Sequence, residues 1–170
     1  MFRVSLVLTV GSALLLGACK KDGASTETPG AGAIPPTVVP AVAYAPDAGA
    51  GKVEEECDLQ SKIPEYFYEY APSAVPGSGG SARVLQIEIV NVIGQGGGMY
   101  TGPKQLTVQG TLTENGQVVG TFKGRRTTTG GAFGGYKGTC SLMERNAKAV
   151  ARDISEWITS PSMDALLGEL

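Results

Sequence analysis

Two alternating stretches around Asn115-Gly116 constrain this chain more than anything else in it. On the incoming side Leu106, Val108 and Leu112 share one parity, with Thr107, Gln109 and Thr111 between them. On the outgoing side Val118 and Phe122 share a parity, and Thr121, Lys123 and Arg125 share the other. Period-two alternation marks strands with one face on a core and one on water, and Asn-Gly between two of them marks a hairpin. In a regular ladder a two-residue turn would set Leu112 opposite Val119 and Val108 opposite Lys123, mixing apolar with charged. A three-residue loop, Glu114-Asn115-Gly116, instead pairs Leu112 with Val118, Gly110 with Gly120 and Val108 with Phe122. The expected turn is therefore type I with Gly116 in a left-handed bulge.

The rest of the domain is read around this hairpin. Residues 84–93 (VLQIEIVNVI) form a strand, with Leu85, Ile87, Ile89 and Ile93 on one face and Gln86, Glu88, Val90 and Val92 on the other. Ahead of it, residues 63–71 predict a short helix with Pro64 in its first turn and Ile63, Tyr66, Phe67 and Tyr70 on one side. Behind it, Ser141 and Glu144 resemble a capping box opening a helix that runs to about Thr159. Its inner stripe is Met143, Ala147, Val150, Ile154, Trp157 and Ile158; Arg145, Lys148, Arg152 and Glu156 lie outside, and Ser160-Pro161 stops it. The order predicts an α+β domain: a small, mainly antiparallel sheet of about three strands, packed against a C-terminal helix and a short N-terminal helix.

The first eighteen residues are of another kind. Arg3 is followed by an apolar run over 4–16, the length of a signal-peptide core and too short for a membrane span. The run ends in Leu16-Gly17-Ala18-Cys19, which resembles the lipobox of bacterial lipoproteins. That resemblance implies a diacylglyceryl group on the Cys19 thiol, cleavage before Cys19, several acyl chains on the mature protein and attachment to a membrane through them. Lys20 after the cysteine resembles the sorting pattern of lipoproteins at the outer membrane, facing the periplasm. An ordinary signal peptide with a chance cysteine is the competing reading. From Cys57 onward, CDLQSKIPEYFYEY, TGPKQLTVQGTLTENGQVVG and GGAFGGYKGTCS are similar to small bacterial envelope lipoproteins, a likeness that implies location and fold but transfers no functional residue.

Residues 20–52 are rich in Ala, Gly, Pro, Thr and Ser and poor in clustered apolar side chains, which reads as a disordered tether. The expected division is a signal peptide over 1–18, lipidated cysteine and tether over 19–52, a globular domain over 53–160 and a tail over 161–170. Glu54, Glu55 and Glu56 mark the domain edge as a solvated run. With Cys19 acylated in an oxidising compartment, Cys57 and Cys140 are expected to form a disulfide; free buried thiols or a nucleophile compete less well, since no histidine is present to activate a thiolate.

The absence of histidine also removes the usual general base near neutral pH and most zinc sites. No SxxK, GxSxG, GxGxxG or GxxxxGK[ST] pattern occurs, so neither an enzyme nor a cofactor is expected, and no metal site. The net charge of −2 becomes −3 once Arg3 is removed with the signal, which argues against nucleic acid. Lys123, Arg125, Arg126 and Lys137 make the one basic cluster, either a solvated sheet face or a contact for an anionic envelope polymer or lipid head group. The expectation is a non-catalytic envelope lipoprotein that binds or scaffolds a protein or polymer of the envelope. An accessory lipoprotein of a transport or secretion system is the alternative, on fold analogy alone.

Overall fold

The structure, a computed structural model, describes residues 36–77, 83–94, 102–129 and 138–170. Ten elements follow in order: β1 Thr37–Val39, β2 Ala43–Tyr44, α1 Lys52–Cys57, α2 Leu59–Tyr70, β3 Ala74–Pro76, β4 Arg83–Ile93, β5 Lys104–Glu114, β6 Gln117–Thr128, α3 Thr139–Trp157 and β7 Ala165–Gly168. They build one mixed sheet of seven strands in the order β3-β1-β4-β5-β6-β7, with β2 also on β4. The α+β class holds, but the expected three strands are only the antiparallel spine β4-β5-β6. The other four add parallel pairings at its flanks.

Parallel neighbours need a crossover, and the helices supply two. The chain leaves β1, passes through α1 and α2, and returns as β3 beside β1. It leaves β6, passes through α3, and returns as β7 beside β6. Both ends of the domain therefore lie where tether and tail were expected. Thr37, Val38 and Val39 are buried, and Ala165–Gly168 pair with β6, so paired strands lie on both sides of the expected limits at 53 and 160. Averaged composition hides this, because β1 is only three β-branched residues long and is held between two neighbours, β3 and β4. The part of the tether over 19–35 lies outside the described residues.

The core forms between the helices and one face of the spine. Leu85, Ile89, Leu106, Val108 and Leu112 are fully buried beneath Met143, Ala147, Val150 and Ile154 of α3, and Leu59, Ile63 and Phe67 of α2 join the same cluster. Phe122 packs on Trp157 with ring centroids 4.9 Å apart. Two glycines make room for that pair. A Cβ on Gly110 would sit 2.4 Å from the Phe122 ring, and one on Gly120 would sit 2.7 Å from the Trp157 ring. The Cys57–Cys140 disulfide joins the end of α1 to the first turn of α3, across 83 positions.

Two β-bulges overturn the expected registers. The hairpin turn has two residues, Asn115 (φ 50°) and Gly116 (φ 80°), with Glu114 paired to Gln117 and Thr113 to Val118. A bulge at Val119 then shifts the ladder by one, so Leu112 faces Gly120, Gly110 faces Phe122 and Val108 faces Gly124. Both positive φ values suit a type I′ turn, whose twist matches that of the strands, and the bulge restores the apolar face that a regular ladder would have lost. Val118 is left half exposed at the tip. A second bulge, between Ile89 and Asn91 of β4, turns Val92 into the core and Ile93 out to solvent, the reverse of the plain alternation.

The helix starts also differ. α2 begins four residues before Ile63, with Pro64 inside it. α3 begins at Thr139 with no side-chain cap, and Glu144 instead accepts a hydrogen bond from the Tyr66 hydroxyl of α2, so the expected capping box is not formed. The inner stripe of α3 is as expected, with Leu142, Asn146, Ala151 and Ser155 added to it. Arg83, also buried, donates from Nη2 to the Ile158 carbonyl at 2.7 Å, closing the C-terminal end of α3 with a cation where the helix dipole favours one.

Candidate functional site: an outer-face groove

The strand faces that do not meet the helices line an open groove of about 750 Å³. Its floor follows from strand pairing. One row crosses five strands: Ala43 of β2, Glu88 of β4, Gln109 of β5, Lys123 of β6 and Leu166 of β7. A second row beside it holds Gln86, Thr111 and Thr121, with Asp164 at its end. Pro40 and Ala41 form one wall and Asp164 to Leu166 the other. These walls are the two segments that return from the β1–β2 and α3–β7 connections.

The side chains of the floor hold one another in place. Gln109 Nε2 donates to Glu88 Oε2 at 2.7 Å. The Thr121 hydroxyl donates to Asp164 Oδ1 at 3.1 Å and accepts from the Asp164 backbone N–H at 2.8 Å. Asp164 itself has φ 54°, a conformation that its short polar side chain tolerates well. Lys123 is exposed and has no carboxylate within ion-pairing distance among the described residues. The groove thus carries two carboxylates and one ammonium, with amides and hydroxyls between them.

The basic cluster expected from the sequence is dispersed by this geometry. Lys123 points into the groove. Arg125 lies on the same face but donates from Nε to the Glu169 carbonyl at 3.0 Å, with Nη2 on the same oxygen, so it fastens the chain end beyond β7. Arg126 points the other way. Its guanidinium forks onto Asp153 of α3 at 2.7 and 2.6 Å, and that bond lifts its pKa further above its ordinary value. Strand alternation makes neighbours in sequence face opposite sides, which is why Arg126 does not share a face with Lys123 and Arg125. Lys137 lies outside the described residues, as does Cys19.

Other polar groups serve the core. Lys104 is fully buried and donates to the Gly94 carbonyl at 3.1 Å, and its own carbonyl accepts from Asn146 Nδ2 at 2.8 Å. Tyr66 is held above the ordinary phenol range by its bond to Glu144 and by burial, and Lys148 sits 5.1 Å over its ring. Tyr44 is pushed up to about 12 by burial and by the nearby Glu54 and Asp58 charges. Among the described residues no three His, Cys, Asp or Glu side chains converge on a metal position.

No family model matches the chain, and no curated protein matches it. Solved structures do. One of an uncharacterized protein superposes with TM-score 0.51 at 15% identity, over 72% of this chain and 91% of that one. A hypothetical protein from Chlamydia trachomatis gives 0.50 at 7% identity, over 74% and 98%. A minor lipoprotein from Acinetobacter baumannii gives 0.45 at 15%, over 75% and 92%. The likeness is one of fold.

Sequence reasoning placed Gln109, Thr111, Thr121 and Lys123 on one polar face and set Gln86 and Glu88 together on β4. It missed both walls and Asp164, because these belong to segments read as tether and tail. The signals on offer were the β-branched stretch Thr37-Val38-Val39 and the apolar run Ala165-Leu166-Leu167, both too short to stand out alone.

Proposed function

We propose that this chain is a non-catalytic lipoprotein of the bacterial envelope, anchored by lipid on Cys19 at the outer membrane and facing the periplasm, which binds another envelope component in the outer-face groove. The address rests on the apolar run and on Leu16-Gly17-Ala18-Cys19. No helix among the described residues is long and apolar enough to cross a membrane. The binding role rests on one observation: the groove floor is uncovered and lined by side chains suited to recognition, while the opposite face of the same strands is sealed by helices. Its groups are carboxylates, amides, hydroxyls and one ammonium, which hydrogen-bond and pair charges but include no thiol or imidazole.

Two variants test the two halves. Cys19→Ser is expected to move the protein from the detergent phase to the aqueous phase or leave an uncleaved precursor; acyl labelling that persists in this variant contradicts the anchor. Thr111→Trp fills the groove floor without touching the core. In crosslinked membranes it is expected to lose capture of a wall or porin component that the wild type retains. Equal capture by both contradicts the groove, and recovery of transporter or secretion subunits through another surface favours the accessory role.

A further inference from the structure

Taking the groove as the binding surface, we infer that its ligand is an amphoteric peptide segment, with an ammonium and a carboxylate about 10 Å apart, lying across the strands. Glu88, Gln109 and Lys123 stand in one cross-strand row. Neighbouring strands lie about 4.8 Å apart, so the backbone positions that carry the Glu88 carboxylate and the Lys123 ammonium are two spacings, about 10 Å, from each other. The Gln109 amide lies between them, bonded to Glu88 and able to meet a peptide group. A ligand ammonium falls at Glu88 and its carboxylate at Lys123. About three extended residues span that distance at roughly 3.3–3.6 Å each. Ala43 and Leu166 close the ends of the row with apolar contacts, and Leu166 is 68% exposed.

The same geometry disfavours other ligand classes. A polyanion meets Lys123 together with the carboxylates of Glu88 and Asp164, and the two arginines of the sequence cluster are engaged elsewhere. A sugar ring finds no exposed aromatic face, since Phe122, the aromatic residue on the lining, is 3% exposed and packed on Trp157. A purely apolar chain would strip water from two carboxylates and an ammonium without replacing it.

The test is amide chemical-shift titration of the full-length chain in micelles with tri-alanine, its N-acetyl form, its C-terminal amide and chitotriose. Tri-alanine is expected to shift Glu88, Gln109 and Lys123 amides. Each blocked form should bind roughly two- to fivefold more weakly, the range of one exposed ion pair. Glu88→Gln and Lys123→Met should weaken tri-alanine by the same factor, and the charge swap Glu88→Lys with Lys123→Glu should restore it with the peptide reversed. All of these side chains are on the surface, and unchanged melting temperatures verify folding. Equal binding of blocked and free peptides, or groove shifts with chitotriose alone, overturns the inference and leaves the groove as the binding surface. No groove shift with any probe also overturns it; the Thr111→Trp capture experiment then decides the groove by itself.

Discussion

The two faces of the β4-β5-β6 spine are made by alternate residues of the same strands, yet they differ in every physical respect. On the inner face Leu85, Ile89, Leu106, Val108 and Leu112 have no exposure at all. Glycines 110 and 120 give up their side chains there so that Phe122 and Trp157 can pack with their rings tilted against each other. On the outer face Gln86, Glu88, Gln109, Thr111, Thr121 and Lys123 line the open groove, with Gln109 bonded to Glu88 and Thr121 to Asp164. Stability therefore resides in one set of residues, and the proposed recognition falls to the set interleaved with it. Because each side-chain position belongs to one face, a substitution one residue along should change the kind of effect as well as its size.

The largest effect should come from the bond that ties the helices over the inner face. Replacing Cys57 and Cys140 with serine opens a loop of 83 positions, which the chain-entropy model values at about 4–5 kcal/mol, an upper figure. Denaturant unfolding of the double variant against wild type measures it. A loss under about 1 kcal/mol would mean that the helices are held by packing alone. Next, Phe122→Ala should cost about 3–4 kcal/mol, because it empties the space over Gly110 and beside Trp157. Gly120→Ala pushes a methyl group into Trp157 and should cost about 1–3 kcal/mol by overpacking. If Gly120→Ala is neutral, the indole is free to move and the inner face is looser than described.

Alkaline pH probes the domain edge. Tyr44 is neutral in the fold up to about pH 12, against about 10 in an unfolded chain. The folded state thus holds this proton more tightly, so the contribution is complete below pH 10 and is lost as pH rises towards 12. Tyr66 and Tyr68 shift in the same direction, so the measurement is the difference between wild type and Tyr44→Phe. The variant should lose stability less steeply over that interval, and identical slopes would contradict the burial of this hydroxyl. The smallest effects belong to the outer face. Thr111→Val and Lys123→Met should each stay within about 0.5 kcal/mol of wild type.

Much of this division was legible in the residue order, and the reasons it was incomplete are physical. The inner stripe of α3 and the outer positions Gln109, Thr111, Thr121 and Lys123 follow from periodicity. The disulfide pairing followed from cysteine number and compartment. Registers did not follow, because a bulge at Val119 lets a two-residue turn and an apolar face coexist, and an alternation rule has no means of inserting one residue. Nor did the sheet margins. β1, β2, β3 and β7 have two to four residues each and depend on partners far away in the chain, so their local pattern carries little signal. Arg126 shows the same limit for charge. It sits beside Arg125 in sequence but faces Asp153 across the sheet.

The account stands on the outer face being a contact surface while the solvent side of α3 is only a cover. A photocrosslinking residue placed at Thr111, in the groove, or at Arg145, on the exposed side of α3, measures this directly in intact envelopes. Both substitutions should leave the melting temperature unchanged. Position 111 should give a discrete adduct to an envelope component that disappears when Lys123 and Glu88 are neutralised, and position 145 should give none. A discrete adduct from position 145 with none from position 111 would contradict the groove as the functional surface.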